Sequence, residues 1–248
     1  MKYWYPNVIE SRSSRGTRVG LQFLLLAAAA VLAGAGTARA APAAEPALVE
    51  GIPYAASTDA EDRALLRDRL GALRVYAADF VQSVYGSGGE LLEESKGYVR
   101  LQRPDFKWVV ASPYPQTIVT AGDRIQIYDP DLEQVTIRSL DDALGDTPVA
   151  LLTRDDVVLG EDFAVARITE DDGERYLVGP RSEQSLYRQI ILRFAADAAG
   201  IPVLRGLDII DQLGQRTEIL FAPPARAPAI DPSEFVLELP EGTDIVGE

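Results

Sequence analysis

The residues best able to do chemistry in this chain are acids. They are the adjacent pairs Glu93-Glu94, Asp141-Asp142, Asp155-Asp156 and Asp171-Asp172, and the series Asp129, Asp131 and Glu133. A carboxylate pair can divide general-acid and nucleophilic work between its members, as in glycoside hydrolysis. Adjacent residues point apart, however, and all four pairs lie in polar, turn-like stretches. Asp129, Asp131 and Glu133 have the i, i+2, i+4 spacing that opens a calcium loop. Gln134 and Leu140 stand where that loop needs Gly and Glu, so a turn with solvated carboxylates is expected. The other catalytic types are missing from the composition, which has no histidine and no cysteine. Ser-His-Asp triads, thiol nucleophiles, zinc fingers, disulfides and an N-terminal lipid anchor on cysteine are thereby excluded. No glycine-rich phosphate loop follows a strand, and no basic patch is interleaved with aromatic residues. The chain is not expected to be an enzyme, to hold a metal or cofactor, or to bind nucleic acid.

Arg103 is the charged residue whose position asks for a role. If the strand Gly97 to Gln102 runs on by one residue, Arg103 shares a face with Val99 and Leu101, and Pro104 ends the strand. An arginine at the rim of an apolar concavity needs partners, because an unpaired buried charge is costly. The carbonyl ends of covering helices would serve. The alternative is a guanidinium that snorkels to water.

The elements that would position these residues begin after a targeting segment. Lys2, Arg12, Arg15 and Arg18 precede an uncharged apolar run from Leu21 to Ala35, which is short for a membrane span of ~20 residues. Ala38-Arg39-Ala40 then reads as a cleavage site, giving a signal peptide over 1–40. A retained membrane anchor is the other reading. Residues 1–40 hold five of the 24 basic residues and one of the 38 acids. The remainder therefore carries 19 basic and 37 acidic residues, a net charge of −18. Such a surface repels nucleic acid and anionic lipid, and solubility is its simplest purpose. Ala41 to Ala56 reads as a flexible lead-in, and residues 57–248 as a single domain.

Thr58-Asp59-Ala60-Glu61 has the spacing of a capping box and predicts a helix carrying Leu66, Leu70 and Leu73 on one stripe. From about Tyr76 the apolar period becomes two. Val99 and Leu101, then Phe106, Trp108 and Val110, each share a face. Ile118–Thr120 and Arg124–Tyr128 flank a turn at Ala121-Gly122-Asp123, and Asp171-Asp172-Gly173 joins a second hairpin. Val135 with Ile137, and Ile190 with Leu192 and Phe194, continue the alternation. Leu207–Ile210, Thr217–Phe221 and Phe235–Leu239 complete the series. This spacing predicts a mainly β protein, one antiparallel sheet strongly curved or nearly closed. Alternation assigns Val99, Leu101, Phe106, Trp108, Ile125, Ile127, Val135, Ile137, Ile190, Leu192 and Phe194 to its apolar inner face. Residues 140–153 interrupt the pattern. Thr147-Pro148, an N-cap followed by proline, starts a short helix containing Leu151, fit to cover the concave face.

These residues also carry a family resemblance. In order they are Asp79-Phe80-Val81-Gln82, Gly97, Arg103-Pro104 with Phe106 and Trp108, then Pro113, Gln116, Ile118 and Gly122. Tyr128-Asp129-Pro130-Asp131-Leu132-Glu133-Gln134-Val135, Thr147-Pro148 and Leu151-Leu152 follow. Asp211, Gly214-Gln215, Thr217, Phe235, Pro240, Gly242 and Asp244-Ile245-Val246 close the set. From about Leu65 to Val246 the chain resembles the LolA family of periplasmic outer-membrane lipoprotein carriers. It departs at Gln126, where the family often has an aromatic residue, and in the longer lead-in. The resemblance implies an unclosed β-barrel with a lid of short helices over an apolar cavity. In it, Arg103 hydrogen-bonds the lid backbone and, with Thr147, Pro148 and Leu151, belongs to the opening switch. It implies a periplasmic monomer that takes lipoproteins from the inner-membrane ABC transporter of the Lol system and delivers them to the receptor LolB. A carrier or sensor of another lipid or glycolipid on the same fold is the alternative. The targeting segment makes one prediction: N-terminal sequencing of the exported protein should begin at Ala41, and full-length chain in the membrane fraction would mean an anchor instead.

Overall fold

Leu66 and Leu70 are buried on one side of helix α1 (Ala60–Ala72), whose first turn carries Glu61 and Asp62 against the positive end of the helix dipole. The computed structural model describes residues 60–140, 148–153, 163–180, 185–225 and 229–247. Thr58 and Asp59, and the targeting and lead-in segments, lie outside them. After Leu73 the chain enters strands β1 (Val75–Tyr85), β2 (Leu91–Gln102), β3 (Asp105–Ser112), β4 (Gln116–Ala121), β5 (Arg124–Asp129) and β6 (Gln134–Ser139). Helix α2 (Pro148–Thr153) interrupts. Strands β7 (Phe163–Glu170), β8 (Gly173–Pro180), β9 (Tyr187–Ala196), β10 (Pro202–Asp211) and β11 (Arg216–Phe221) follow. A 3-10 turn (Pro232–Phe235) and a short strand β12 (Asp244–Gly247) end the chain.

The twelve strands among the described residues form one sheet, in the order β12-β6-β5-β4-β3-β2-β1-β11-β10-β9-β8-β7. The sheet is unclosed, with β12 and β7 as its edges. Every neighbouring pair is antiparallel except β12 with β6, which is parallel. The tight turns fall where the sequence placed them: Gly122 takes φ +65° between β4 and β5, a conformation that suits glycine.

The sheet curls. Three strand spacings separate β3 from β11, about 14 Å if the sheet were flat. The rings of Trp108 on β3 and Phe221 on β11 nevertheless stand 6.3 Å apart, edge to face. Phe80 on β1 stacks on Trp108 at 4.1 Å. Beneath that stack lies Gly97, where an added Cβ would come within 1.8 Å of the Val109 carbonyl oxygen and 2.8 Å of Phe80 Cζ.

The outer face is treated in two ways. Over β9–β11 it is charged: Arg193 pairs with Asp208 and, at 3.0 Å, with Glu218. Over β1 and β4 it is apolar and covered. Ala77 and Val119 pack with Ile230 and Phe235, and Val75 and Leu237 join them. The segment that covers them is tied down by polar contacts: Ile230 N donates to Gln102 Oε1 at 2.7 Å, and Lys107 Nζ donates to the Glu234 carbonyl at 2.8 Å. This strap replaces the strand expected over Phe235–Leu239. Asp231 caps it, accepting from Ser233 N at 2.9 Å, and Pro232 opens the turn. That capping chemistry outweighs the alternation of Phe235, Leu237 and Leu239. Past Gly242 the chain pairs along β6, so the final strand is Asp244–Gly247.

The crowding at Gly97 sets a test. Gly97→Ala should cost roughly 1–3 kcal/mol through overpacking, a fall of about 2–12 °C in Tm for a domain of this size. Gly71→Ala, in the last turn of α1 with nothing within 4 Å of the new methyl, should be neutral or stabilising by up to ~1 kcal/mol. Thermal unfolding of the two variants checks the pair.

Candidate functional site

The cross-strand register decides which side chains share the concave face, because directly opposed residues of an antiparallel ladder point the same way. Val99 lies opposite Trp108 and Leu101 opposite Phe106. Trp108 faces Ile118, which faces Ile127, while Thr120 faces Ile125. In the other direction Phe80 lies opposite Phe221, and Ile219 opposite Leu207. Leu207 faces Leu192, Leu204 faces Phe194 and Ile209 faces Ile190. Nine of the eleven residues assigned inward from the sequence thus stand on one continuous apolar face: Val99, Leu101, Phe106, Trp108, Ile125, Ile127, Ile190, Leu192 and Phe194. All are buried except Ile127, which is half-buried.

Val135 and Ile137 do not belong there. They lie opposite Tyr128 and Gln126, on the outer face. Alternation identified the correct pair of positions in β6 and assigned them to the wrong side. The reason is that this end of the sheet has two apolar faces, one concave and one beside the strap. Val135 is fully buried, with Ile245 of β12 next to it. Thr136 and Arg138 occupy the concave side of β6 instead.

Two tyrosines sit within the concave face. Tyr76 donates its hydroxyl to the Leu204 carbonyl at 2.9 Å, and burial raises its pKa. Tyr176, opposite Leu192, is pushed up to about 12, chiefly by burial. Both are neutral at physiological pH, so neither adds charge to the apolar surface.

Arg103 stands at the end of β2, where its backbone N–H donates to the Arg74 carbonyl at 3.0 Å. Its Nε donates to the carbonyl of Leu152 at 2.9 Å. Leu152 is in the last turn of α2, where carbonyls lack partners within the helix. Leu151 and Leu152 are both buried. Pro148 is the first residue of α2. Thr147, and the rest of the segment 141–147 expected in the lid, fall outside the described residues.

A second attachment escaped sequence reasoning. At the β7–β8 edge, Arg69 of α1 is bonded to Glu174, and the Arg167 backbone N–H donates to Asp62 Oδ2 at 3.0 Å. Arg167 Nε donates to Asp62 Oδ1 at 3.3 Å, and its Nη1 lies 3.8 Å from Glu174 Oε2. Arg167 lies opposite Tyr176 and Glu174 opposite Phe194, so both face the concave side. Asp62 thereby occupies an N–H of an edge strand that would otherwise be open to pairing. A charge at an inward position on each of β7 and β8 was the available signal. It has meaning only once α1 is known to lie against them.

Of the acids considered for chemistry, Asp141-Asp142 and Asp155-Asp156 lie outside the described residues, and Glu93-Glu94 stands within β2 rather than in the turn-like stretch expected, its side chains pointing to opposite faces. Asp129 Oδ1 accepts from the backbone N–H groups of Asp131 and Leu132, both at 3.1 Å. Asp171 and Asp172 form the two-residue connection between β7 and β8. Among the described residues no three acidic side chains converge as a metal site would need.

The profile of the family described as outer membrane lipoprotein carrier protein LolA matches residues 72–238. The outer-membrane lipoprotein carrier protein of Chromohalobacter salexigens is 38% identical over 198 residues, 79% of this chain and 92% of its own. That of Azotobacter vinelandii is 33% identical over 205 residues, 81% and 97% of the two chains. A LolA superfamily protein from Nitrosomonas europaea, of known crystal structure, aligns at 11% identity with a TM-score of 0.41, over 71% of this chain and 98% of that one.

The bond from Arg103 to Leu152 carries a measurable share of the attachment of α2. Charge-assisted hydrogen bonds contribute roughly 1.5–3 kcal/mol. Arg103→Leu should therefore speed amide hydrogen exchange across Pro148–Thr153 by one to two orders of magnitude, with exchange in β9 unchanged. Unchanged exchange in α2 would make Arg103 a rim charge only.

Proposed function

The chain belongs to the LolA family of outer membrane lipoprotein carrier proteins, and from that premise we propose how its residues carry lipoproteins across the periplasm. The concave apolar face shields the acyl chains, and α2, held through Arg103, acts as its lid. One observation carries this reading. The concave side carries a continuous apolar band from Ile127 of β5 to Tyr176 of β8, and among the described residues Arg103 reaches from its rim to the carbonyl of Leu152 in α2, a bond that can be broken and remade.

The energetics explain why such a device is needed. Exposing an acyl chain to water costs ~0.8 kcal/mol per CH₂, so about 13 kcal/mol for a chain of ~16 carbons. A lipoprotein carries several such chains, which rules out free diffusion through an aqueous compartment. The carrier must also let go. A preformed face lined by packed aromatic rings keeps its own apolar surface out of water when empty. Cargo displaces those internal contacts rather than water, so binding is weaker than the transfer cost alone would make it. The lid adds a second opposing term, because loading breaks the Arg103 bond and release restores it. The guanidinium suits this role, since it stays charged at any physiological pH and offers five donors in a fixed fork.

In the proposed route the chain is exported with a signal peptide removed after Ala40. It accepts cargo from the inner-membrane ABC transporter of the Lol system and yields it to LolB. Net charge −18 keeps it from lingering on anionic membrane surfaces.

A pair of substitutions on opposite faces tests the reading. Ile127→Asp places a charge at a half-buried position of the concave face, and Ile137→Asp places one at a half-buried position of the outer face. The amount of lipoprotein co-purifying with periplasmic carrier should fall roughly tenfold or more in the first and stay within about twofold in the second. Equal losses would locate the acyl chains elsewhere. A glycolipid in place of lipoprotein, found by mass spectrometry of the wild-type preparation, would replace the cargo.

A further inference from the structure

Towards the hairpin that joins β1 to β2, the concave face changes character. Phe80 and Gly97 lie opposite each other, and two residues further along both strands Gln82 lies opposite Ser95. Val84 then faces Glu93 on one side and Thr217 on the other. By that register Gln82, Glu93, Ser95 and Thr217 share the concave side with the aromatic residues. They begin about 7 Å along the strands from the Phe80–Trp108 stack.

Three of the four are as buried as the apolar residues beside them: Gln82 is 3% exposed, Ser95 1% and Thr217 4%. Two of the polar atoms are hidden from solvent without a hydrogen-bond partner among the described residues, Ser95 Oγ and Glu93 Oε1. Buried polar atoms in folded proteins are nearly always paired, and an unpaired one is an unmet demand for a partner. Burial raises the Glu93 pKa, in keeping with a carboxyl group short of partners. Packing alone would favour apolar residues in these rows, as in the row of Ala78 and Val99 on the other side of Phe80. The placement of two unpaired oxygens on one strand, two residues apart and on the concave side, calls for a ligand with polar groups at one end.

We propose that Gln82, Glu93, Ser95 and Thr217 form a polar subsite for the carbonyl-bearing head of the acylated cargo. It would take the ester and amide groups that join the acyl chains to the glyceryl-cysteine and to its first peptide bonds. The Ser95 hydroxyl donates to an acyl carbonyl, and the Glu93 carboxyl oxygen accepts from an amide N–H. The acyl chains then run from this subsite over Phe80 and Trp108 towards Arg103. The cargo's polypeptide leaves past the β1–β2 hairpin, where Leu91 and Leu92 are exposed. The inference rests on the carrier reading and adds to it a direction of binding.

Two probes separate the polar from the apolar contribution. One is a synthetic triacylated cysteinyl peptide with an uncharged tail. The other is diphenylhexatriene, a hydrocarbon fluorophore with no hydrogen-bonding group. Affinities are measured for the wild-type protein and for Ser95→Val, Glu93→Met and their combination, each verified by thermal unfolding. Each single change should weaken the lipopeptide roughly threefold to tenfold, the combination more, and diphenylhexatriene less than twofold. Glu93→Gln, which keeps an acceptor, should retain most of the lipopeptide affinity. If Ser95→Val fails to fold, the half-buried Glu93→Met decides alone. Unchanged lipopeptide affinity, or equal losses for both probes, overturns the subsite and leaves the carrier reading standing. A folded wild-type protein that does not bind the lipopeptide overturns both.

Discussion

The contact on which the concave face depends is the stack of Phe80 on Trp108 over the bare backbone of Gly97. A sheet bends inwards only where its inner side chains can approach across more than one strand. Gly97 permits that approach, because its missing Cβ leaves room for the Phe80 ring and for the Val109 carbonyl. The rings of β1, β3 and β11 then meet, and the strands that carry them are drawn together. The remaining apolar rows, from Ile127 on one flank to Tyr176 on the other, inherit their inward orientation from this centre through cross-strand register, with irregularities at Lys96–Gly97 of β2 and Leu204–Gly206 of β10.

Concavity creates a problem of its own, since a wide apolar face must stay out of water in the empty protein. Among the described residues two helices are fastened to the sheet, in different ways. Helix α1 is clasped at the β7–β8 edge by Asp62, Arg69, Arg167 and Glu174, four charged groups that share bonds. Helix α2 is fastened from β2 by the guanidinium of Arg103. Among the described residues the two attachments differ in kind, a cluster of ion pairs for α1 and a side-chain bond to a backbone carbonyl for α2.

Much of this was legible in the amino-acid order. The alternation of Val99, Leu101, Phe106 and Trp108 names an apolar face directly, and Arg103 two residues beyond Leu101 falls at its rim by the same rule. Alternation fails where both faces of a strand are buried. Val135 and Ile137 look inward because they are apolar, yet their register with Tyr128 and Gln126 turns them towards the side of the strap. Phe235 and Leu237 failed for the complementary reason. They alternate like a strand, but the capped turn at Asp231-Pro232 bends them into a cover for Ala77 and Val119. The α1 clasp was invisible because an ion pair between Asp62 and Arg167 has no local pattern. It exists only after a helix and a distant hairpin have docked.

The pairing of β1 with β11 also governs how this chain is made. Tyr85 lies opposite Arg216, and β6 receives its edge partner from the last residues of the chain. Neither half of the sheet can be completed until almost the whole polypeptide has been synthesised and delivered. Non-local pairing of this kind is slow to form, because loop closure must precede the contacts that reward it. During that interval the future concave face is an open apolar ribbon with unpaired edges, the most aggregation-prone state available to the molecule. A lipoprotein carrier is thus itself in need of shelter for the time it takes its first strand to meet its eleventh.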